Sequence, residues 1–538
     1  MRGLLAAATA RIGQLGRVFS PPSDLAIAAR AFDSAYYLRT YPDVAEVGCD
    51  PLEHFMEFGW REGRDPNAAF SVAAYLEVFP EVAASGVNPF VHYLTHGRPK
   101  AAPPEPPLGF RFEVIEQLET VETRMARARG VTVEVGTAAD LAAALAQSRG
   151  GLADLHVTFS HDDFSTNLGG LQLTLGREAA RLAELERDHL HLHSARPWGL
   201  VRTPDEPEAL GVVWNGQAVG AFTPEVLTGV LQDTAMGEAS GRSFAIHSLL
   251  GHEPDEVADI LAAVGLKQGV FWLHDFASLC AGFHLLRNEV EDCAAPPPGS
   301  PTCGVCIHGP WRERHMQAHA RLFERLSLTV AAPSQVTLDL WRASTDLPAA
   351  ATVVLPHARL APKGPARVSA RPRPFRFAYA GLPVTHKGWP AFRALAARFI
   401  NDPRYEFIHL GVRRDLATPF RFEAVAAGPA NPTAMRDALL AVEADAVMVW
   451  PLCRETFSFV AYEAVAAGCA VVTGPDSGNV AAFVGETGHG QVLPDETALA
   501  QAFESGAILQ LARAQRRPML YDLVYSALTL DLAKTPTP

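Results

Sequence analysis

The chain has 538 residues, 48% of them apolar and 20% charged, with seven cysteines and a formal net charge of −13. Mean hydropathy is +0.05 and the isoelectric point about 5.8. This describes a globular chain of about three domains with room for large cores. The acidic balance argues against nucleic acid as a general partner. No apolar run reaches the roughly 18 residues a transmembrane helix needs, and cysteines this sparse make no disulfide scaffold.

The first residues, MRGLLAAATARIGQLGRVF, hold an apolar run too short for a signal peptide, so a cytoplasmic location is expected. Residues 32–104 contain a tandem repeat with a period of 38. Phe32 aligns with Phe70, Leu38 with Leu76, Pro42 with Pro80, Pro51 with Pro89, His54 with His92 and Gly59 with Gly97. That period suits a helical hairpin that buries its apolar face on its neighbour. A spacer or protein-interaction module is the simplest role, with the histidines as packing residues.

A Pro-rich break at 101–109 is followed by a helix over VIEQLETVETRMARARG and an Ala-rich helix. LADLHVTFS reads as a buried strand, and NLGGLQLTLGREAARLAELERD as a glycine turn, with Gly169 and Gly170, opening a helix. GVFWLHDF is an apolar strand ending at His274 and Asp275, and LTVAAPSQVTLDLW repeats the strand–helix pattern. Residues 361–374, APKGPARVSARPRP, read as an interdomain linker. A second alternation follows: FRFAYAG, WPAFRALAARFI, YEFIHLG, DAVMVWP, FVAYEAVAAG and AVVTG. The fold class expected is α/β, with two doubly wound Rossmann-like domains facing a cleft after a helical repeat region. A ligand belongs at the carboxyl ends of the strands, between the halves.

Glu455 stands on the loop before the FVAYEAVAAG helix, Ser458 at its N-cap, Glu463 inside it and Gly468 at its end. The N–H groups of that helix start favour phosphate, and a carboxylate on either side can accept from paired sugar hydroxyls. The composite suits a nucleotide sugar.

E-x7-E followed by A-x-A-A-G and an apolar strand resembles the retaining GT-B glycosyltransferases of the GT4 type. YAGLPVTHKGW resembles their G-x5-K-G segment, SGNVAAFV their downstream glycine loop, NLGGLQ their amino-terminal glycine loop, and FWLHDF the segment bringing an active-site His. The resemblance covers roughly 150–510, and the tandem repeat is similar to one appended to bacterial polysaccharide glycosyltransferases. It implies an acceptor-side domain at 150–360 with a cysteine-rich insertion, a donor-binding domain at 374–512, and a terminal helix and tail at 513–538. It implies that Glu463 binds the donor ribose and that Glu455 contacts the transferred sugar. Lys387 neutralises the diphosphate near Gly381, Phe457 and Ser458. Gly169 and Gly170 allow close backbone approach, and His274 or Asp275 faces the sugar. No catalytic metal is expected. The partners implied are a nucleotide-sugar donor and a glycan or lipid-linked acceptor, with peripheral membrane association left open. Leu382 stands where the family commonly has an arginine, which leaves the diphosphate without its bidentate partner; Arg413 or Arg414 is the candidate substitute. That departure keeps a non-catalytic carbohydrate- or nucleotide-binding scaffold as the alternative.

His161, Asp162 and Asp163 read as loop polarity beside the glycine loop. Cys280, Cys293, Cys303 and Cys306 follow a C-x12-C-x9-C-x2-C pattern. Four thiolates there would make a structural zinc site, and free, partly buried thiols are the alternative. No G-x-G-x-x-G after a strand and no P-loop is present, which excludes the usual dinucleotide and nucleoside-triphosphate fingerprints.

Overall fold

The computed structural model describes residues 23–68, 70–96, 109–167, 169–235, 241–367, 372–428 and 431–532. Gly97, the Pro-rich residues 101–108 and Leu168 lie outside the described residues. Two compact units are present, Met1–Glu116 and Gln117–Pro538.

In the first unit each repeat is three short helices rather than a two-helix hairpin. Ser34–Thr40, Pro42–Val47 and Pro51–His54 form one set, and Val72–Val78, Pro80–Ser85 and Pro89–Thr95 the other. The repeated residues explain the extra break. Pro42 and Pro80 each open a helix, which Gly48 (φ 71°) and Gly86 (φ 68°) then end in the left-handed region. Asp50 and Asn88 cap the helices that Pro51 and Pro89 begin. The repeated histidines are bonded within the core: Tyr37 Oη is 3.1 Å from His54 Nδ1, and Tyr75 Oη is 2.9 Å from His92 Nδ1. A side chain at Gly59 would collide with the Tyr37 hydroxyl, which accounts for that glycine.

The helix expected over 114–130 is two, Phe110–Glu116 and Val121–Arg129, the second capped by Thr120. The second unit holds two α/β sheets. The first contains β1 (Leu155–Ser160), β2 (Asp188–Ser194), β3 (Leu210–Trp214), β4 (Gln217–Phe222), β5 (Ser243–Ile246) and β6 (Gln268–Trp272). After a two-stranded ribbon of β7 (Leu286–Arg287) and β8 (Glu291–Asp292), it continues with β9 (Ser327–Ala332) and β10 (Ala351–Val354). The order is β10-β9-β6-β5-β1-β2-β3-β4, parallel except where β3 and β4 turn antiparallel at the edge. Its inner strands β1 and β3 are buried on both faces, which is why such strands read as short apolar runs.

Residues 358–365 correct the linker reading. They form β11 (Ala358–Pro365), paired antiparallel with β18 (Met519–Tyr525), so the Pro-rich composition belongs partly to a strand. An isolated two-stranded ribbon tolerates prolines that a central strand would not. The second sheet contains β12 (Phe375–Ala380), β13 (Tyr405–Gly411), β14 (Arg421–Ala424), β15 (Ala446–Met448), β16 (Ala470–Thr473) and β17 (Gly490–Val492). Its order, β14-β13-β12-β15-β16-β17, is parallel throughout and reverses direction between β12 and β15. This is the doubly wound 3-2-1-4-5-6 arrangement, whose reversal point is where ligands bind.

The described end of the chain is a short helix, Arg513–Arg516, then β18 and a turn of helix, Thr529–Leu532. Leu528 packs with Ala245, Trp272 and Ala331 of the first sheet.

Candidate functional site

Lys387 and Glu455 come from the loops after β12 and β15, the two strands at the reversal point. Lys387 Nζ lies 2.5 Å from Glu455 Oε1. Burial pulls the Lys387 ammonium down, but the Glu455 carboxylate outweighs it and raises its pKa. The loop that delivers Lys387 is tightly built. Tyr379 Oη donates to the carbonyls of Leu382 and Lys387. Gly381 has a φ of 121°, and Gly388, with φ 83°, lies so close to the Trp450 carbonyl that no Cβ fits. Glu455 is fixed through its backbone: its N–H donates to Ser477 O and its carbonyl accepts from Asn479 N at 2.8 Å. Gly478 (φ 62°) makes room for that pairing. Leu382 is 44% exposed, and Arg413 and Arg414 are also exposed.

The helix after Glu455 is Phe459–Ala466, with Ser458 at its N-cap. The Ser458 hydroxyl makes no capping bond, so the helix start keeps its amide donors. Phe457 is mostly taken up by packing, against Tyr462 (4.5 Å between ring centroids), Phe459 and His357. Glu463 points inward and is 8% exposed. Burial pushes its carboxyl up to about 7, although Arg177 and Arg436 counteract this. Arg177 itself belongs to the Gly170–Glu184 helix of the other sheet and lies over the Tyr525 ring at 3.5 Å.

The first sheet answers with loops after β1 and β6. Gly169 is extended and leaves room for Gln172, while Gly170 faces Phe459 across the interface. Gln172 Nε2 donates to both carboxylate oxygens of Asp162, and Asp163 holds Ser165. These acids therefore order the glycine loop, with His161 3.6 Å from Asp162.

Asp275 accepts from Ala277 N and Ser248 Oγ, and burial pushes its carboxyl up. His274 Nε2 is 2.9 Å from His247 Nδ1. His247 Nε2 is 3.0 Å from Glu178 Oε2 in turn. Burial, with the His357 and His247 charges, holds His274 well below the ordinary imidazole range. Burial alone would raise Glu178, but His247 and His156 bring it down to about 2. Glu178 and His247 escaped the sequence reading. Their only signal is a Glu and a His at apolar positions of a helix and a strand end.

Two further contacts fasten the loop that carries Glu455 to the half of the unit built on the first sheet. Arg454 makes a bidentate ion pair with Asp292 of the β7–β8 ribbon, its shortest distance 2.7 Å. Thr456 Oγ1 donates to the His274 carbonyl at 2.9 Å. Glu455 thus lies between two residues anchored across the cleft.

The four cysteines line one small cavity of about 20 Å³, and all are free thiols. Arg312 Nη1 is 3.2 Å from Cys303 Sγ. Burial raises the Cys280 thiol to about 11 and also raises Cys293. Among the described residues no three His, Cys, Asp or Glu side chains are grouped to hold a metal.

No family model and no curated protein matches the sequence. Solved structures do. The Anabaena protein HepE, solved with UDP and glucose, is 14% identical, with 70% of this chain and 97% of that chain covered at a TM-score of 0.41. The pneumococcal O-GlcNAc transferase GtfA, solved with UDP and GlcNAc, is 9% identical, covering 68% and 93% at 0.42. A GtfA/B complex is 13% identical, covering 59% of this chain and only 57% of its own at 0.36. At these identities and scores the likeness carries no residue role or substrate to this chain.

Proposed function

We propose that this chain is a retaining glycosyltransferase that moves a sugar from a nucleotide-sugar donor to a glycan or related acceptor. The observation that carries the reading is the Lys387–Glu455 pair at the reversal point of the second sheet, beside the amide donors of the Phe459–Ala466 helix. An ammonium and a helix start suit a diphosphate, and the adjoining carboxylates suit sugar hydroxyls. In the reaction the bond between C1 and the diphosphate oxygen breaks, its electron pair leaving with the phosphate. The acceptor hydroxyl bonds to C1 on the same face, and its proton passes to the departing phosphate oxygen. Lys387 and the helix amides stabilise the charge that grows there. His274 and Asp275 face the sugar from the first domain. Glu463 accepts from the ribose diol. A cytoplasmic role in cell-surface polysaccharide or glycoconjugate assembly fits this reading, with the repeats as a partner-binding module.

Exposed Leu382, where an arginine is expected, favours a second reading as a non-catalytic binding scaffold. One experiment separates them. The chain is screened by thermal shift against UDP-, GDP- and dTDP-sugars, and the stabilising donor is then followed by NMR. Release of the nucleoside diphosphate with an α-linked first product from an α-linked donor supports the enzyme. Binding without turnover supports the scaffold, and no binding refutes both.

A further inference from the structure

Beside the donor loop is a second cavity, of about 180 Å³, unconnected with any role assigned above. By the same measure one water needs about 10–15 Å³, so the space suits one sugar ring with its hydroxyls. Its walls come from both domains: the Val121–Arg129 helix, the cysteine-rich insertion, and His386, the residue next to Lys387.

Its polar side is unusual. Glu289 Oε1 accepts from Arg124 Nη1 at 3.0 Å and His308 Nε2 at 3.1 Å, which neutralises the one carboxylate present. His308 is spent on holding Glu289, and its Nδ1 is sealed within the wall. His284 stacks on His386 across the domain boundary, 4.9 Å between ring centroids. Burial, with neighbouring charges, pushes these two imidazoles down to about 3 and about 4, so both are neutral at neutral pH. A neutral imidazole offers one donor and one acceptor, which suits a hydroxyl that both gives and takes a hydrogen bond. Met125 and Phe283 supply the apolar side.

The insertion also holds its shape at a cost. Leu285, Asn288, Glu289, Ala294 and Ala295 all have φ between 48° and 63°. Non-glycine residues in that region are strained, and such strain clusters at functional sites.

We infer that this cavity is the subsite for the acceptor: it takes one uncharged pyranose, hydroxyls toward Glu289, His284 and His386, and its C–H face on Met125 and Phe283. The inference rests on the glycosyltransferase reading and adds the acceptor's chemical class to it. The position next to Lys387 brings an acceptor hydroxyl to the donor side of the cleft.

The test uses the full chain with its donor nucleotide bound. Methyl α- and β-glycosides of glucose, galactose and mannose, and N-acetylglucosamine, are screened by saturation-transfer NMR at millimolar concentration. Phe283→Ala and His284→Ala are then compared, each checked for an unchanged melting profile. The expected result is that at least one glycoside binds and that either variant weakens it about tenfold, with acceptor KM rising alike and donor affinity unchanged. No glycoside binding, equal binding to both variants, or displacement of the glycoside by inorganic phosphate overturns the subsite. Failure of the parent reading looks different: no nucleotide sugar binds at all, whatever the glycosides do.

Discussion

Glu463→Gln separates the ligand role of this carboxyl from its cost to the fold. The side chain is 8% exposed and its carboxyl is pushed up to about 7 by burial, against an ordinary 4.5. In the unfolded chain it ionises near 4.5, so between those values the folded state holds the extra proton. Stability therefore falls as pH rises from 4.5 to 7. A gap of 2.5 pH units at about 1.4 kcal/mol each amounts to about 3 kcal/mol by pH 8. Glutamine keeps the shape and never ionises. The variant should therefore melt at higher temperature than the parent at pH 8, and the two should converge near pH 5. Donor affinity should move the other way. Losing charge-assisted bonds to a diol, about 1.5–3 kcal/mol, weakens nucleotide-sugar binding roughly tenfold to a hundredfold. Calorimetry at the two pH values and titration with the donor read both effects. A variant less stable than the parent at pH 8 refutes the buried-charge argument. Unchanged donor affinity in a folded protein refutes the ribose assignment.

Lys387→Ala removes the one ammonium beside Glu455 and should cut turnover by about a hundredfold or more; intact turnover, with Leu382→Arg also silent, places the diphosphate elsewhere. Asp292→Asn breaks the bidentate pair with Arg454, so donor KM should rise about tenfold, and adding Arg454→Ala should cost little more. Fully additive effects in that double-mutant cycle would show the two residues act independently. For the cysteine cavity, thiol titration and elemental analysis are expected to find free thiols, Cys280 the slowest to react because burial raises it to about 11; about one zinc per chain surviving purification would overturn that arrangement and restore the four-thiolate site.

Much of the α/β framework was legible because buried parallel strands are short, apolar and punctuated by glycine. FRFAYAG, YEFIHLG and AVVTG each became a strand of the second sheet. The strands β14 and β17 were not legible, since RFEA and GQV are partly exposed and form no apolar run. Nor was β11, whose prolines and charges disguise a strand paired with residues some 160 positions later. Lys387 and Glu455 were visible as a spaced motif, and the structure brings them into contact. Asp292, Glu178 and His247 were not, because each acts through a partner distant in sequence. The four cysteines were legible as a set, and the structure brings all four to one small cavity.

The β11–β18 ribbon makes the order of the chain differ from the order of its bodies. Polypeptide crosses between the two sheets once near residue 366 and returns near 526, so the first domain is completed by residues from the far end. Leu528 fills its core, Thr529 Oγ1 accepts from the Trp272 indole, and Thr529 N donates to Glu178. Cutting the sequence between the two sheets thus yields no free-standing domain at either side. The first fragment would lack the plug over its buried glutamate, and the second would carry that plug with nothing to fill. A single nick in 366–374 is different, because the antiparallel pairing from Ala358 to Pro365 still ties the pieces. The two α/β halves are interlocked, so a single nick cuts the chain without parting them.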